Sequence, residues 1–263
     1  MQQAKAFLSS IKKAGEKTCE SCGHVYPVYE TPRGVLGACK PCEDRKLKES
    51  LNLPNKDDLD DIKTKNFIER FTVVPNHLKD ATINSYQAIT PSQRALKEWL
   101  VDLVKNFEKR PSDSLVVSGK AGLGKSHVAY AAAKALKNRG YKVLYIEVPR
   151  LLDFFRKTFD DYNSYSKDEL YDMIDNLDLL ILDDIGSEYI KGNESGQETW
   201  ASEVLFNVLN LRQGKRKICT TNYAERQLQK KYGIHGERIT SRMFDQATSI
   251  RLEGDDYRKK GDY

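Results

Sequence analysis

The chain has 263 residues, of which 31% are charged and 39% hydrophobic, and its formal net charge is +5. This length holds one sizeable core with a small appendage, and the mild basic excess permits nucleic-acid contact without arguing for it. No apolar run approaches the roughly 20 residues of a membrane helix, and residues 1–14 are mixed and basic with no secretory apolar segment, which argues against a membrane-spanning chain and for a cytoplasmic one.

Four of the five cysteines form two close pairs, Cys19-x₂-Cys22 and Cys39-x₂-Cys42, with 16 residues between the pairs. This is the spacing of a Cys₄ zinc site, in which two tight turns each offer two thiolates to a tetrahedral ion. Gly23 suits the first knuckle, and because four thiolates complete the shell His24 is expected at the surface or packed behind the ligands. Disulfides are the competing reading, disfavoured in a reducing compartment. Residues 1–50 form this first domain and contain few large apolar side chains, so the metal is expected to supply much of its folding free energy. Residues 1–56 carry ten Lys and Arg against six Asp and Glu, an excess that four thiolates on one zinc ion reduce. Protein docking is therefore at least as good a role for the domain as DNA binding.

Residues 51–66 are polar, contain Pro54, and read as a linker to a second domain over 67–263. Within 92–107, Leu96, Trp99, Leu100, Leu103, Val104 and Phe107 fall at helical spacing. Strands at 114–118, 142–148, 177–183, 216–221 and 247–252 alternate with helices at 126–138, 150–160, 166–175, 198–213, 224–231 and 236–245. Such alternation implies an α/β fold with a parallel sheet covered on both faces.

Between the first of these strands and its helix lies Gly119-Lys120-Ala121-Gly122-Leu123-Gly124-Lys125-Ser126, which fits the phosphate-loop pattern. Its glycines let backbone N–H groups converge on phosphate oxygens at a helix N-terminus. Lys125 would reach the β- and γ-phosphates, Ser126 would ligate Mg²⁺, and His127 follows in the same binding set. An ordinary glycine-rich turn would lack these flanking elements. Further on, the apolar run Leu179-Leu180-Ile181-Leu182 ends in Asp183 and Asp184. Asp183 is placed to hold the magnesium ion directly or through water, and Asp184 to polarise the attacking water.

The strand at 216–221 ends beside Asn222, which could orient water near the γ-phosphate or cap the next helix. Arg238 and Arg242 stand four apart on one helix face. Either could enter a neighbouring subunit's nucleotide site, and a pair of surface salt bridges is the ordinary alternative.

In this order the motifs resemble those of the AAA+ ATPases, and within them the DnaC/DnaI helicase loaders and the IstB transposition ATPases, over about residues 67–258. The loop resembles Walker A, Ile181 to Gly186 resembles the loaders' Walker B, Thr220-Thr221-Asn222 resembles sensor 1, and Arg238 to Met243 is similar to the arginine-finger box. Gly254-Asp255-Asp256-Tyr257-Arg258 is like the family's closing signature, and a Cys₄ module ahead of the ATPase resembles the DnaI layout.

The resemblance implies a parallel five-stranded sheet flanked by helices, with the sensor 1 strand between those of Walker A and Walker B. Asn222 would then lie between Lys125 and Asp183. Asp184 stands where many AAA+ proteins carry Glu, so its shorter reach implies slow hydrolysis. No lid domain is expected after Arg258, which is itself a weak sensor 2 candidate. In initiators and loaders the region between the second and third strands lines a single-strand DNA channel. Here it holds Arg150, Phe154, Phe155, Arg156, Lys157, Phe159, Tyr162 and Tyr165, a mixture suited to stacking and phosphate contact, although the phenylalanines would equally pack a helix onto the sheet. The polar 187–198 loop, with Gly192, Ser195 and Gly196, is expected to be mobile.

The function so implied is an ATPase that uses ATP, Mg²⁺ and Zn²⁺, self-associates through the ATPase domain, and loads a hexameric replicative helicase onto single-stranded DNA. A transposition ATPase that remodels target DNA, and a nucleotide-gated helicase adaptor or inhibitor, are the alternatives.

Overall fold

The computed structural model describes residues 12–31, 34–51, 56–110, 112–157, 165–188 and 200–257. The chain divides into two compact units, Met1–Asp60 and Asp61–Tyr263.

In the first unit, β1 (Lys12–Thr18), β2 (Val25–Thr31) and β3 (Gly34–Leu36) form an antiparallel sheet in the order β1-β2-β3, followed by α1 (Lys40–Ser50). Thr18 pairs with Val25, so the β1–β2 turn spans Cys19 to His24. Gly23 takes φ +72° at the knuckle, and its N–H donates to the Cys19 carbonyl at 2.8 Å. Cys39 stands at the N-cap of α1, with Pro41 at the start of the helix, where a missing N–H costs nothing. Val28 and Cys39 are the buried apolar residues among those described here. The described residues of this unit thus supply almost no core.

The stretch expected as a linker carries much of α2 (Lys56–Phe71) instead. The polar run misleads because the apolar stripe arrives at its end, where Phe67, Ile68 and Phe71 are buried. The second unit continues with α3 (Pro91–Lys105), β4 (Ser114–Ser118), α4 (Lys125–Lys137), β5 (Val143–Glu147), α5 (Val148–Lys157), α6 (Lys167–Asp175) and β6 (Leu179–Ile185). It is completed by α7 (Trp200–Leu211), β7 (Lys217–Thr221), α8 (Glu225–Tyr232), α9 (Gly236–Phe244) and β8 (Ala247–Arg251).

The five strands are parallel in the order β5-β6-β7-β4-β8, with β7 between β4 and β6 as the resemblance implied. Alternation along each strand splits the core into two layers. Leu115, Val117, Val143, Tyr145, Leu179 and Ile181 pack with α3 and α4, while Val116, Leu144, Ile146, Leu180 and Leu182 pack with α2 and α5 to α9. Phe154 and Phe155 belong to the second layer: the Phe154 ring meets Phe71 edge-on at 4.2 Å, and Phe155 is 1% exposed.

The sequence reading ends the third strand at 183, whereas β6 runs on to Ile185. Leu182 pairs with Cys219 but Ile185 with Thr221, so β6 carries one residue more than its partner. This bulge falls on the acid pair, and Asp184 takes φ +57°, a left-handed conformation that Asp tolerates better than most residues.

Arg212, which no motif marked, is fully buried. Its guanidinium donates to the carbonyls of Ile174, Asp175 and Leu177 and, at 2.7 Å, of Arg216, tying the ends of α6 and α7 to the strands beside them. Replacing Arg212 with Met should leave those carbonyls unpaired and lower the unfolding free energy by about 3 kcal/mol, measurable by urea denaturation of the full chain.

Candidate functional site

The C-terminal ends of β4, β6 and β7 bring the predicted residues to one side of the sheet, where α/β proteins place their ligands. A cavity of about 530 Å³ opens there, lined by Tyr86, Gly122, Lys125, Asp184, Asn222 and Tyr257 among others. The phosphate loop from Gly119 to Gly124 leads into α4, and Gly124 at its N-cap has φ +78°. A Cβ on Gly124 would come within 2.6 Å of the Tyr86 ring. The ring packs there because its hydroxyl donates to the Leu123 carbonyl at 3.2 Å. Gly122 is closer still to the chain that returns over it: a Cβ there would lie 1.7 Å from Asp256 Oδ1, and the Tyr257 N–H donates to the Gly122 carbonyl at 3.0 Å. The Tyr257 hydroxyl also bonds the Gln87 carbonyl, so residues 254–257 strap across the loop. His127 lines the same cavity, with Nε2 3.1 Å from Ser85 Oγ.

Lys125 is buried, and its ammonium donates to the carbonyls of Gly119 and Lys120, each at 2.8 Å, and to Asn222 Oδ1 at 2.7 Å. The Asn222 amide donates in turn to Asp184 Oδ1 at 2.7 Å. Asn222, at the end of the strand that lies between those of the phosphate loop and the acid pair as implied, joins Lys125 to Asp184, while Asp183 is held within the sheet. Burial, and then the charge of Asp183, raise the Asp184 carboxyl above its ordinary value.

Asp183 is 2% exposed. Its Oδ2 accepts from the Tyr145 hydroxyl at 2.6 Å and its Oδ1 from the Thr220 hydroxyl at 2.5 Å. Burial and then the Asp183 charge hold the Tyr145 phenol protonated. Thr220 Oγ1 also accepts the Asp184 N–H at 2.9 Å. The oxygens of Ser126 and Asp183, both hard donors, suit a magnesium ion beside a phosphate loop.

Other candidates sit away from this cavity. The Arg238 guanidinium lies 4.1 Å over the Phe206 ring, and Arg242 Nε donates to Asn210 Oδ1 at 3.2 Å. Neither arginine forms a salt bridge among the described residues, so that alternative is not realised there. Arg150 pairs with Glu147 at 3.6 Å, Arg156 pairs with Asp153 at 3.3 Å and covers Trp200, and Lys157 is exposed. Tyr165 packs near Phe67 and Phe71. Phe159, Tyr162, Arg258 and most of the 187–198 loop lie outside the described residues.

Tyr86 and Tyr145 escape motif reading, whereas Thr220 falls in the sensor 1 stretch and Asp256 in the closing signature. Tyr145 looks like a core aromatic, and only the strand order sets it beside Asp183. Tyr257 had a signal in the closing signature.

In the first unit the sulfurs of Cys19, Cys22, Cys39 and Cys42 all lie within 4.8 Å of one another, with Cys19–Cys42 at 3.6 Å and Cys22–Cys39 at 3.4 Å. Four sulfurs at zinc–sulfur bond length stand about 3.8 Å apart, so the residues fit that ion. His24 is exposed and outside the cluster. The N–H groups of Cys22 and Ser21 pull the Cys19 thiol down to about 6, which prepares one thiolate. Elemental analysis of the purified full chain should find about one zinc per chain, and Cys39→Ser should lose most of it while the ATPase unit stays folded.

Residues 67–262 match the family model described as IstB-like ATP binding protein. The chain is 30% identical to the replicative helicase loader DnaC of Buchnera aphidicola subsp. Baizongia pistaciae (strain Bp) over 59% of its own length and 60% of that protein's. It is 25% identical to the replicative helicase loader DnaI of Bacillus subtilis (strain 168) over 80% of its length and 68% of that protein's. The crystal structure of the DnaC helicase loader superposes with a TM-score of 0.57 at 22% identity, covering 68% of this chain and 100% of that one, and shares the fold. With a phosphate loop, an acid pair and an intervening sensor strand built on that fold, the chain belongs to the IstB-like ATP-binding family of DnaC/DnaI-like AAA+ proteins.

Proposed function

We propose that this protein is a cytoplasmic, ATP-dependent loader that delivers a hexameric replicative helicase onto single-stranded DNA. The observation that carries the ATPase part is the linked set Lys125, Asn222 and Asp184 at the mouth of the cavity. The loader part draws on the two relatives named replicative helicase loaders.

In this reading the loop N–H groups and Lys125 take the triphosphate, and Ser126 with Asp183 hold magnesium, which shields phosphate charge when bound. The Lys125 ammonium must exchange Asn222 Oδ1 for a phosphate oxygen. That exchange frees Asn222 to orient water, and leaves Asp184 to accept the proton of the attacking water. The aspartate at 184 reaches less far than a glutamate would, so turnover is slow and depends on assembly. Tyr86, Gln87 and Tyr257 wall the remainder of the cavity, where the base would sit.

The remaining roles follow the same division of labour. Residues 1–50 dock the helicase and 67–263 form the ATPase, with 51–66 joining them. Arg238 and Arg242 lie on α9, off their own chain's cavity, and serve a neighbour's site on self-association. Lys157, Arg156 and Arg150 contact DNA phosphates, the latter two after leaving their intrachain acids. Phe154 contributes through packing rather than stacking.

Lys125→Ala should weaken ATP binding about 100-fold. In a reconstituted assay it should still capture the replicative helicase yet fail to place it on single-stranded DNA. Normal loading by this variant would refute the ATP-dependent loader. Arg242→Ala should bind ATP like the parent and lose about 10³-fold in turnover. Mixing it with Lys125→Ala should restore part of the activity, because each variant then supplies what the other lacks at one interface. No recovery in mixtures, and unchanged turnover of Arg242→Ala alone, would return Arg242 to a structural role against α7.

A further inference from the structure

The hydrogen bonds around the acid pair form one continuous chain. From Lys125 it passes through Asn222 to Asp184, through the Asp184 N–H to Thr220, and through Thr220 to Asp183. From Asp183 it reaches the Tyr145 hydroxyl.

A carboxylate as buried as Asp183 is costly unless donors satisfy it. Its own two donors are hydroxyls at 2.6 and 2.5 Å, the short range of charge-assisted O–H···O⁻ bonds. No salt bridge to Asp183 occurs among the described residues, and the nearby Lys125 ammonium is held by Gly119, Lys120 and Asn222. The orientation of Asp183 therefore rests on Tyr145 and Thr220. Tyr145 cannot swing away, because it is fully buried and its ring meets Tyr130 of α4 edge-on at 5.3 Å.

We propose that Tyr145 is a positioning residue for the magnesium site: its hydroxyl fixes one oxygen of the Asp183 carboxylate and aims that carboxylate toward the phosphate loop. Thr220 fixes the other carboxylate oxygen and, through the Asp184 N–H, the second acid. This inference rests on the nucleotide-binding reading above. A hard divalent cation of this size demands nearly fixed ligand geometry, so a carboxylate free to rotate would hold it less well even with every ligand present.

The test uses the full chain and a fluorescent ATP analogue titrated with and without Mg²⁺. Tyr145→Phe should leave the Mg²⁺-free affinity within about twofold of the parent, yet raise the Mg²⁺ concentration for half-maximal enhancement about tenfold, as loss of one charge-assisted hydrogen bond would. Thr220→Val should do the same, and Thr220→Ser, which keeps the donor, should restore the parent's Mg²⁺ dependence. A parent-like Mg²⁺ titration for Tyr145→Phe would overturn the assignment. So would a parallel loss of affinity with and without Mg²⁺, since that is the mark of a merely structural tyrosine. A parent chain that binds no nucleotide at all would instead defeat the ATP reading on which the inference stands.

Discussion

One extra residue in β6, inserted where Leu182 to Ile185 face Cys219 to Thr221, falls on the acid pair of the nucleotide site. Without it Asp183 and Asp184 would project to opposite faces of the sheet by simple alternation. Asp183 stays on the face of Ile181 and Tyr145 against two hydroxyls, while Asp184, in the bulge, meets Asn222. The left-handed backbone at Asp184 is a local cost that the neighbouring strands hold in place. Its N–H is tied to Thr220 of β7, and the carbonyl of Ile185 accepts the Thr221 hydroxyl. The acid pair thus divides into one buried carboxylate of fixed direction and one half-exposed carboxylate of raised proton affinity, and this division suits one acid to metal and the other to water.

The rest of the second unit serves to hold that strand edge still. Five parallel strands covered on both faces leave loops at their C-terminal ends free to converge. The phosphate loop comes from β4, the acids from β6 and Asn222 from the end of β7, so neighbouring strands supply the three parts. Residues far along the chain close the site: Tyr86 from before α3, and Asp256 with Tyr257 from beyond β8, both packed on loop glycines that have no Cβ to spare.

The first unit obeys a different physics. Its described residues bury few apolar side chains, yet its hairpin and helix bring four sulfurs to within 4.8 Å of one another, and a metal can replace the hydrophobic burial such a short segment does not supply.

The fold class, the phosphate loop, the thiolate set and the strand–helix order were legible from residues in sequence, because each rests on local spacing: two glycines and a lysine, paired cysteines, runs of period 2 or 3.6. The polar start of α2 was not, since its apolar anchors come only at the end of the helix. Nor was the Asn222–Asp184 hydrogen bond, because it forms beside a one-residue bulge that no local pattern marks. Arg212 and Tyr145 were invisible for a related reason. Each looks like an ordinary arginine or core aromatic until the tertiary structure brings carbonyls from two segments, or a carboxylate from the neighbouring strand, within hydrogen-bonding distance. Sequence alone determined which chemical groups this protein carries and the order in which they arrive. Only the tertiary structure decided which of them touch, because hydrogen-bond geometry is fixed to tenths of an ångström by strand register and side-chain packing, and both are properties of the folded chain as a whole.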